Sequence, residues 1–123
     1  MLEDVNAVMD AVSAIRVTGV LPENDIHRLV ERAFIENGLD CAHEFKLGRG
    51  RRVDFMVNRT AVEIKQGAPT AYAVRKQIDG YLESDEVDDL VVITRRNLRL
   101  PTSIGGKQVF VLSLDRLWGI SLP

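Results

Sequence analysis

Apolar residues in the first third of the chain recur every three or four positions. Val5, Val8, Met9, Val12 and Ile15 form one such stripe, which predicts an amphipathic helix over residues 3–17. The stretch from Thr18 to Pro22 ends it. Ile26, Leu29, Val30, Ala33 and Phe34 predict a second helix over residues 23–37, stopped by Asn37-Gly38. From there the period becomes two. Residues 42–47 and 52–57 read as strands joined by a Gly48-Arg49-Gly50-Arg51 turn, and Ala61 to Lys65 reads as a third strand after a turn at Asn58-Arg59-Thr60. Gly67-Ala68-Pro69 breaks the chain. Ala71, Val74, Ile78, Tyr81 and Leu82 then mark the inward face of a helix over residues 70–83. Leu90 to Thr94 is a continuous run, as expected of a central strand buried on both faces. Residues 97–107 read as a loop, Gln108 to Leu112 as a last strand, and Leu114 to Trp118 as a short closing helix that Trp118 anchors. The order α-α-β-β-β-α-β-β-α predicts a mixed α/β domain on one sheet.

Composition sharpens this modestly. A chain of 123 residues with 46% apolar and 28% charged side chains fits one domain with a real core. The single cysteine, Cys41, excludes an internal disulfide and a cysteine-rich zinc site, and reads as a small, partly buried hydrophobe. The acidic start lacks the apolar run of a signal peptide, and no stretch approaches the roughly 18 apolar residues of a membrane span. The expectation is a cytoplasmic protein without a membrane partner. The formal net charge of −2 means that any nucleic-acid contact must come from a local basic patch.

The sharpest candidate chemistry lies on two neighbouring strands. Strict alternation puts Asp54 and Met56 on one face, opposite Val53, Phe55 and Val57. It puts Glu63 and Lys65 together, opposite Val62 and Ile64. If the strands pair as a hairpin around residues 58–60, Asp54 lies beside Glu63, and two carboxylates and an ammonium converge. Hard oxygen ligands of this kind hold Mg²⁺, which activates water and polarises phosphate, while a lysine neutralises growing charge. A solvated Glu–Lys pair on a strand face is the plainer alternative, although aspartate in mid-strand fits it badly.

Asp54 followed by Glu63-Ile64-Lys65 after a short hairpin resembles the PD-(D/E)xK nuclease superfamily, over roughly residues 22–112. Val53 stands where many members have proline. Gln77-Ile78-Asp79-Gly80-Tyr81 is similar to the Gln-x-x-x-Tyr motif that follows the lysine strand in RecB-like nucleases. The resemblance implies a restriction-endonuclease-like fold, with a core order α-β-β-β-α-β and an extra N-terminal helix at residues 3–17. It implies Mg²⁺-dependent cleavage of DNA, with Mn²⁺ as a substitute and RNA left open. Asp54, Glu63 and the Ile64 carbonyl would hold the metal, Lys65 would be the catalytic lysine, and Gln77 would assist. Tyr81 is placed with the DNA-contacting residues, the alternative being an ordinary core tyrosine.

Members of this family often supply one more acid from the preceding helix. Among Glu23, Asp25 and Glu31, a rotation of about 100° per residue places Glu23 nearest the apolar stripe, so Glu23 is the preferred metal ligand. His27, one turn on, faces the same cleft or solvent. Glu44 either shares the face of Asp54 and joins the metal site or pairs at the surface with Lys46 or an arginine. Arg49, Arg51 and Arg52 form a basic patch next to Asp54, extended by Lys46, Arg75 and Lys76, which suits phosphate contacts without base reading. The plainer alternative is a charged turn. Arg95, Arg96 and Arg99 are assigned to a solvated loop. The helix over 3–17 packs its apolar face on the domain or forms a homodimer. The rival to a nuclease is a non-catalytic DNA-binding or assembly module of the same fold.

Overall fold

The computed structural model describes residues 2–15, 25–65, 67 and 70–117, with Asp25, Arg116 and Leu117 described by backbone alone. Helices α1 (Leu2–Ser13) and α2 (Asp25–Glu36) precede strands β1 (Cys41–Gly48), β2 (Arg51–Val57) and β3 (Thr60–Lys65). Helix α3 (Ala71–Leu82), β4 (Asp89–Thr94), β5 (Ser103–Ile104), β6 (Lys107–Ser113) and the short α4 (Leu114–Leu117) follow. The strands form one six-stranded mixed sheet in the order β1-β2-β3-β4-β6-β5. β1, β2 and β3 run antiparallel, β3, β4 and β6 run parallel, and β5 closes the far edge antiparallel to β6. Among the described residues, no helix is long and apolar enough to cross a membrane.

The helical stripes seat as their spacing dictates. Val5, Val8 and Val12 of α1 and Ile26, Val30 and Phe34 of α2 cover one face of the sheet, against Phe55, Val62, Ile64, Val91 and Ile93. The apolar face of α1 is thus spent on its own domain and is not left free for a homodimer. Helix α2 ends where Gly38 turns left-handed, with φ of 72°, and the Leu39 amide bonds back to the Phe34 carbonyl at 2.9 Å. On the opposite face, Val74, Ile78, Tyr81 and Leu82 of α3 pack with Val53, Met56, Ala61, Leu90, Val92 and Val109. Thr70 caps α3, its hydroxyl oxygen accepting from the Ala73 amide at 3.1 Å. Ala71, expected to point inward, is exposed, and the buried stripe of α3 begins at Val74.

Two expectations need correction. Residues 97–107 are not all loop: Ser103–Ile104 pairs with Lys107–Gln108 across Gly105-Gly106. Both glycines take positive φ, 59° and 80°, the geometry of a two-residue hairpin turn. The second correction concerns sidedness. Val53 lies with Met56 on the α3 face, while Phe55 and Val57 face α1 and α2. The partner strand does the same, since His43 stacks on Phe55 while Phe45 packs with Val53's cluster. Both strands therefore change face at one rung, occupied by Glu44 and Asp54, and Glu44 takes a left-handed φ of 56° there. Strict alternation presumes uninterrupted pleating, which this rung lacks.

Candidate active site

The sheet pairing carries Asp54 to Glu63. Phe55↔Val62 is the last bridged pair between β2 and β3, so the next opposed positions are Asp54 and Glu63. Here the ladder opens and side chains replace its backbone bonds. The Asp54 amide donates to Glu63 Oε1 at 3.1 Å, and the Ile64 amide donates to Asp54 Oδ2 at 2.7 Å. Each carboxylate thus satisfies an amide of the opposite strand, which would otherwise be an orphan donor. The exchange pins both carboxylates at the point where the strands part.

Glu63 is 5% exposed. Its Oε2 accepts from the Tyr81 hydroxyl at 2.9 Å and lies 3.0 Å from Lys65 Nζ. Lys65 also donates to Gln77 Oε1. Burial pushes the Glu63 carboxyl above its ordinary range, and the neighbouring Asp54 charge pushes the same way, against Lys65 and Tyr81. Burial and the Glu63 charge push the Tyr81 phenol up as well, so the hydroxyl stays a proton donor to the carboxylate. Asp54, Glu63, Lys65, Gln77 and Tyr81 therefore form one connected constellation on the α3 side, at the carboxyl end of β3. Ligands of parallel sheets bind at such carboxyl ends.

Tyr81 needs reassignment. At 2% exposure, with its hydroxyl on Glu63, it is a positioning residue beneath the site and not a surface contact for DNA. The remaining acids do not join the group. Glu44 is exposed and pairs with Arg52 at 2.9 Å, its side chain turned away by the left-handed backbone. Glu31 lies 3.7 Å from His43. Glu23 and Trp118 lie outside the described residues, and so does the side chain of Asp25. His27 sits beside Phe55, ring centroids 6.3 Å apart, on the face away from the site. Among the described residues, no group of three or more His, Cys, Asp or Glu side chains is arranged to hold a metal ion. Two carboxylates remain. Cys41 is partly buried against the α1/α2 core, as its single occurrence suggested.

Three of the six basic residues are tied down by carboxylates. Lys46, Arg51 and Arg52 line a cleft at the tip of the β1–β2 hairpin, with Gly48 and Gly50. Arg51 pairs with Glu83 at 3.0 Å and lies across Gly80, where an added Cβ would come within 2.6 Å of Nε. Arg52 pairs with Glu44, and Arg75 with Asp79 at 2.9 Å. Arg49, Lys46 and Lys76 are exposed and pair with no carboxylate among the described residues. Exposed ion pairs contribute only ~0–1 kcal/mol, so the paired arginines can be exchanged onto phosphate at little cost. Sequence reasoning passed over Tyr72, which is 78% exposed in the first turn of α3. Its position opposite the apolar stripe was the available signal. No family model, curated protein or solved structure matches the chain.

Proposed function

We propose that the protein is a divalent-metal-dependent nuclease of the PD-(D/E)xK type, hydrolysing phosphodiester bonds of DNA. The observation that carries this reading is the opened rung: Asp54 and Glu63 are held side by side, with Lys65 on Glu63 and Gln77 on Lys65. The antiparallel β1–β2–β3 meander, α3 and parallel β4 also follow the order that the family resemblance implies.

The donor set fits Mg²⁺ or Mn²⁺. Asp54 Oδ1 accepts no hydrogen bond from any described residue, while Oδ2 is fixed by the Ile64 amide. Mg²⁺ takes one or two carboxylates and fills its remaining positions with water and phosphate oxygens, so two acids suffice. Asp54 and Glu63 would hold the ion, with the Ile64 carbonyl. When bound, such an ion supplies Lewis acidity at phosphate and a lowered water pKa.

The chain's own residues do the rest. Hydrolysis adds water across the ester: the water oxygen bonds to phosphorus, one P–O bond breaks, and the departing oxygen takes a proton. Lys65, released from Glu63 Oε2, can turn its ammonium to the phosphate while Gln77 keeps it in place. Tyr81 and the Asp54 amide hold the Glu63 carboxylate in one orientation. With the Gln77, Tyr81 and Asp54-amide contacts retained, little reorganisation is needed when charge develops. Arg49 and Lys46, and Arg51 and Arg52 once exchanged, would take backbone phosphates. Such contacts orient the substrate without reading its sequence.

Incubation with supercoiled, linear and branched DNA, in Mg²⁺, Mn²⁺ or EDTA, tests the reading. We expect metal-dependent cleavage that falls at least ~10²-fold in Lys65→Ala, the scale of losing one transition-state charge donor. Intact DNA throughout, with metal-independent binding, would point to the non-catalytic module.

A further inference from the structure

We infer that the cleft at the tip of the β1–β2 hairpin is an anion site that holds one phosphate group of the substrate, close to the phosphate that is attacked. The anion site stands on the cleft itself, while the identity of its phosphate rests on the nuclease reading. The cleft has a volume of about 280 Å³ and is lined by Lys46, Gly48, Gly50, Arg51 and Arg52. Three cations thus border one space, and among the described residues no carboxylate lines it. The ladder brings them together, since Lys46 and Arg52 are register partners and Arg51 closes the turn. A Cβ on Gly48 or Gly50 would meet nothing within 4 Å, so the backbone there lies open to a ligand. The Gly50 amide donates to no described residue and adds a further donor.

The two arginines are held in place and still have donors to offer. A guanidinium carries several N–H groups in a fixed fork. Arg51 uses Nη1 on Glu83 Oε2 at 3.0 Å, and Arg52 uses Nη1 on Glu44 Oε2 at 2.9 Å. Nη2 of each donates to no described residue. Glu83 lines a second cleft that shares Arg51 as a wall, so this acid stands across the guanidinium from the anion. Lys46 pairs with no carboxylate among the described residues and supplies the uncompensated charge. Gly80 gives Arg51 its place. A Cβ there would lie 2.6 Å from Nε and 2.9 Å from Cζ, so glycine is what lets the guanidinium cross α3.

Register ties the cleft to the carboxylates. The Lys46↔Arg52 rung is followed by Phe45↔Val53 and then by the rung of Glu44 and Asp54. Arg52 is therefore two residues from Asp54 along β2, about 7 Å for an extended strand. A nucleic-acid strand advances about 3.4 Å per nucleotide, so the cleft meets the backbone within roughly two nucleotides of the attacked phosphate. Planar guanidinium forks beside an ammonium suit the oxygens of a phosphate. A backbone diester and a terminal monoester both present those oxygens, and neither contact reads a base.

Fluorescence anisotropy in EDTA, with a labelled oligothymidylate ending in a 5′-hydroxyl or a 5′-phosphate, reads this site apart from cleavage. Lys46→Ala and Arg51→Ala should each weaken binding at least ~5-fold, as loss of a charge-assisted hydrogen bond does. Arg99→Ala makes the same charge change on the exposed loop after β4 and should weaken it less than about twofold. Gly80→Ala keeps the net charge and suits a helix better, yet by displacing Arg51 it should weaken binding at least ~3-fold. The slope of log affinity against log salt should fall by about 0.7 in Lys46→Ala, the share of one phosphate on a single strand. Tighter binding of the 5′-phosphate in wild type, lost in Lys46→Ala, supports the site and assigns it to a chain end. Equal binding of the two oligonucleotides, with the losses above, supports it and assigns it to the backbone. A loss in Arg99→Ala as large as in Lys46→Ala, no loss in Lys46→Ala, Arg51→Ala or Gly80→Ala, or an absence of binding would each overturn the proposal. Metal-dependent cleavage and its loss in Lys65→Ala judge the nuclease reading separately.

Discussion

Glu63 is a carboxylate in a place where ionisation costs free energy. Its folded-state acidity is weakened by burial first and by Asp54 second, so its folded pKa lies above the ordinary 4.5. A carboxyl with a raised folded pKa binds more protons folded than unfolded. Stability therefore falls as pH rises through the folded value, and the penalty vanishes below the unfolded one. Glu63→Gln cannot ionise and escapes it. The stability difference between the two proteins should shift in favour of Gln as pH rises from about 4.5 to neutrality, read by urea unfolding. A difference constant across that range would refute the assignment. The same ionised form is what a cation needs. At metal well below saturation, where the carboxyl of the metal-free protein titrates, activity should accordingly fall away on the acid side at a pH above that of an ordinary carboxylate.

At the scale of elements, β1 and β2 change face together at Glu44 and Asp54. A left-handed backbone at a glutamate is uncommon and disfavoured by its Cβ. Glu44→Gly should therefore leave stability unchanged or raise it by up to about 1 kcal/mol, even though the exposed pair with Arg52 is lost. In a regular strand the same change costs roughly 0.5–1 kcal/mol. Thermal or urea unfolding decides the sign. This rung also shows where reading the sequence succeeds and fails. Glu63 and Lys65 were legible because Val62 and Ile64 hold a regular pleat between β2 and β4. Val53 was misplaced because nothing in Val53-Asp54-Phe55 marks a break in pleating. Glu44, unlike glycine or asparagine, gives no warning of positive φ. The β5–β6 hairpin was read as loop because the strand before Gly105-Gly106, two residues long, has no period to detect. Gln77 and Tyr81 were singled out by the resemblance to a Gln-x-x-x-Tyr helix, while helical spacing gave only an inward Tyr81; which of them faces the carboxylate depends on how α3 is laid on the sheet.

On the scale of the whole molecule, one sheet separates two cores, and the site lies in the layer between them. α1 and α2 back one face with Phe55, whose ring meets Phe34 edge-on at 5.5 Å and stacks on His43 at 4.9 Å. α3 backs the other face and supplies Gln77 and Tyr81 to the constellation. The functional groups are thus fixed by three elements, β2, β3 and α3, each packed into the fold, which is the support that precise placement requires. The cations are arranged differently, on the hairpin tip, the outer side of α3 and the loop after β4. They sit at the rim, where a net charge of −2 does not prevent local attraction of phosphate.

The exchange of bonds at the opened rung has a consequence for how an inactive variant is chosen. Asp54→Ala removes an acceptor as well as a charge, and leaves the Ile64 amide bare between two strands. It should cost about 1–3 kcal/mol of stability, the desolvation of an unmet donor. Asp54→Asn keeps an oxygen for that amide and should cost less than about 1 kcal/mol while still impairing the cation site. Urea unfolding of both, beside metal-dependent cleavage, separates the two effects. An alanine at this position is a broken hinge pin, and loss of activity in it reports the frame together with the chemistry. Only the asparagine leaves the door hung while the lock is changed.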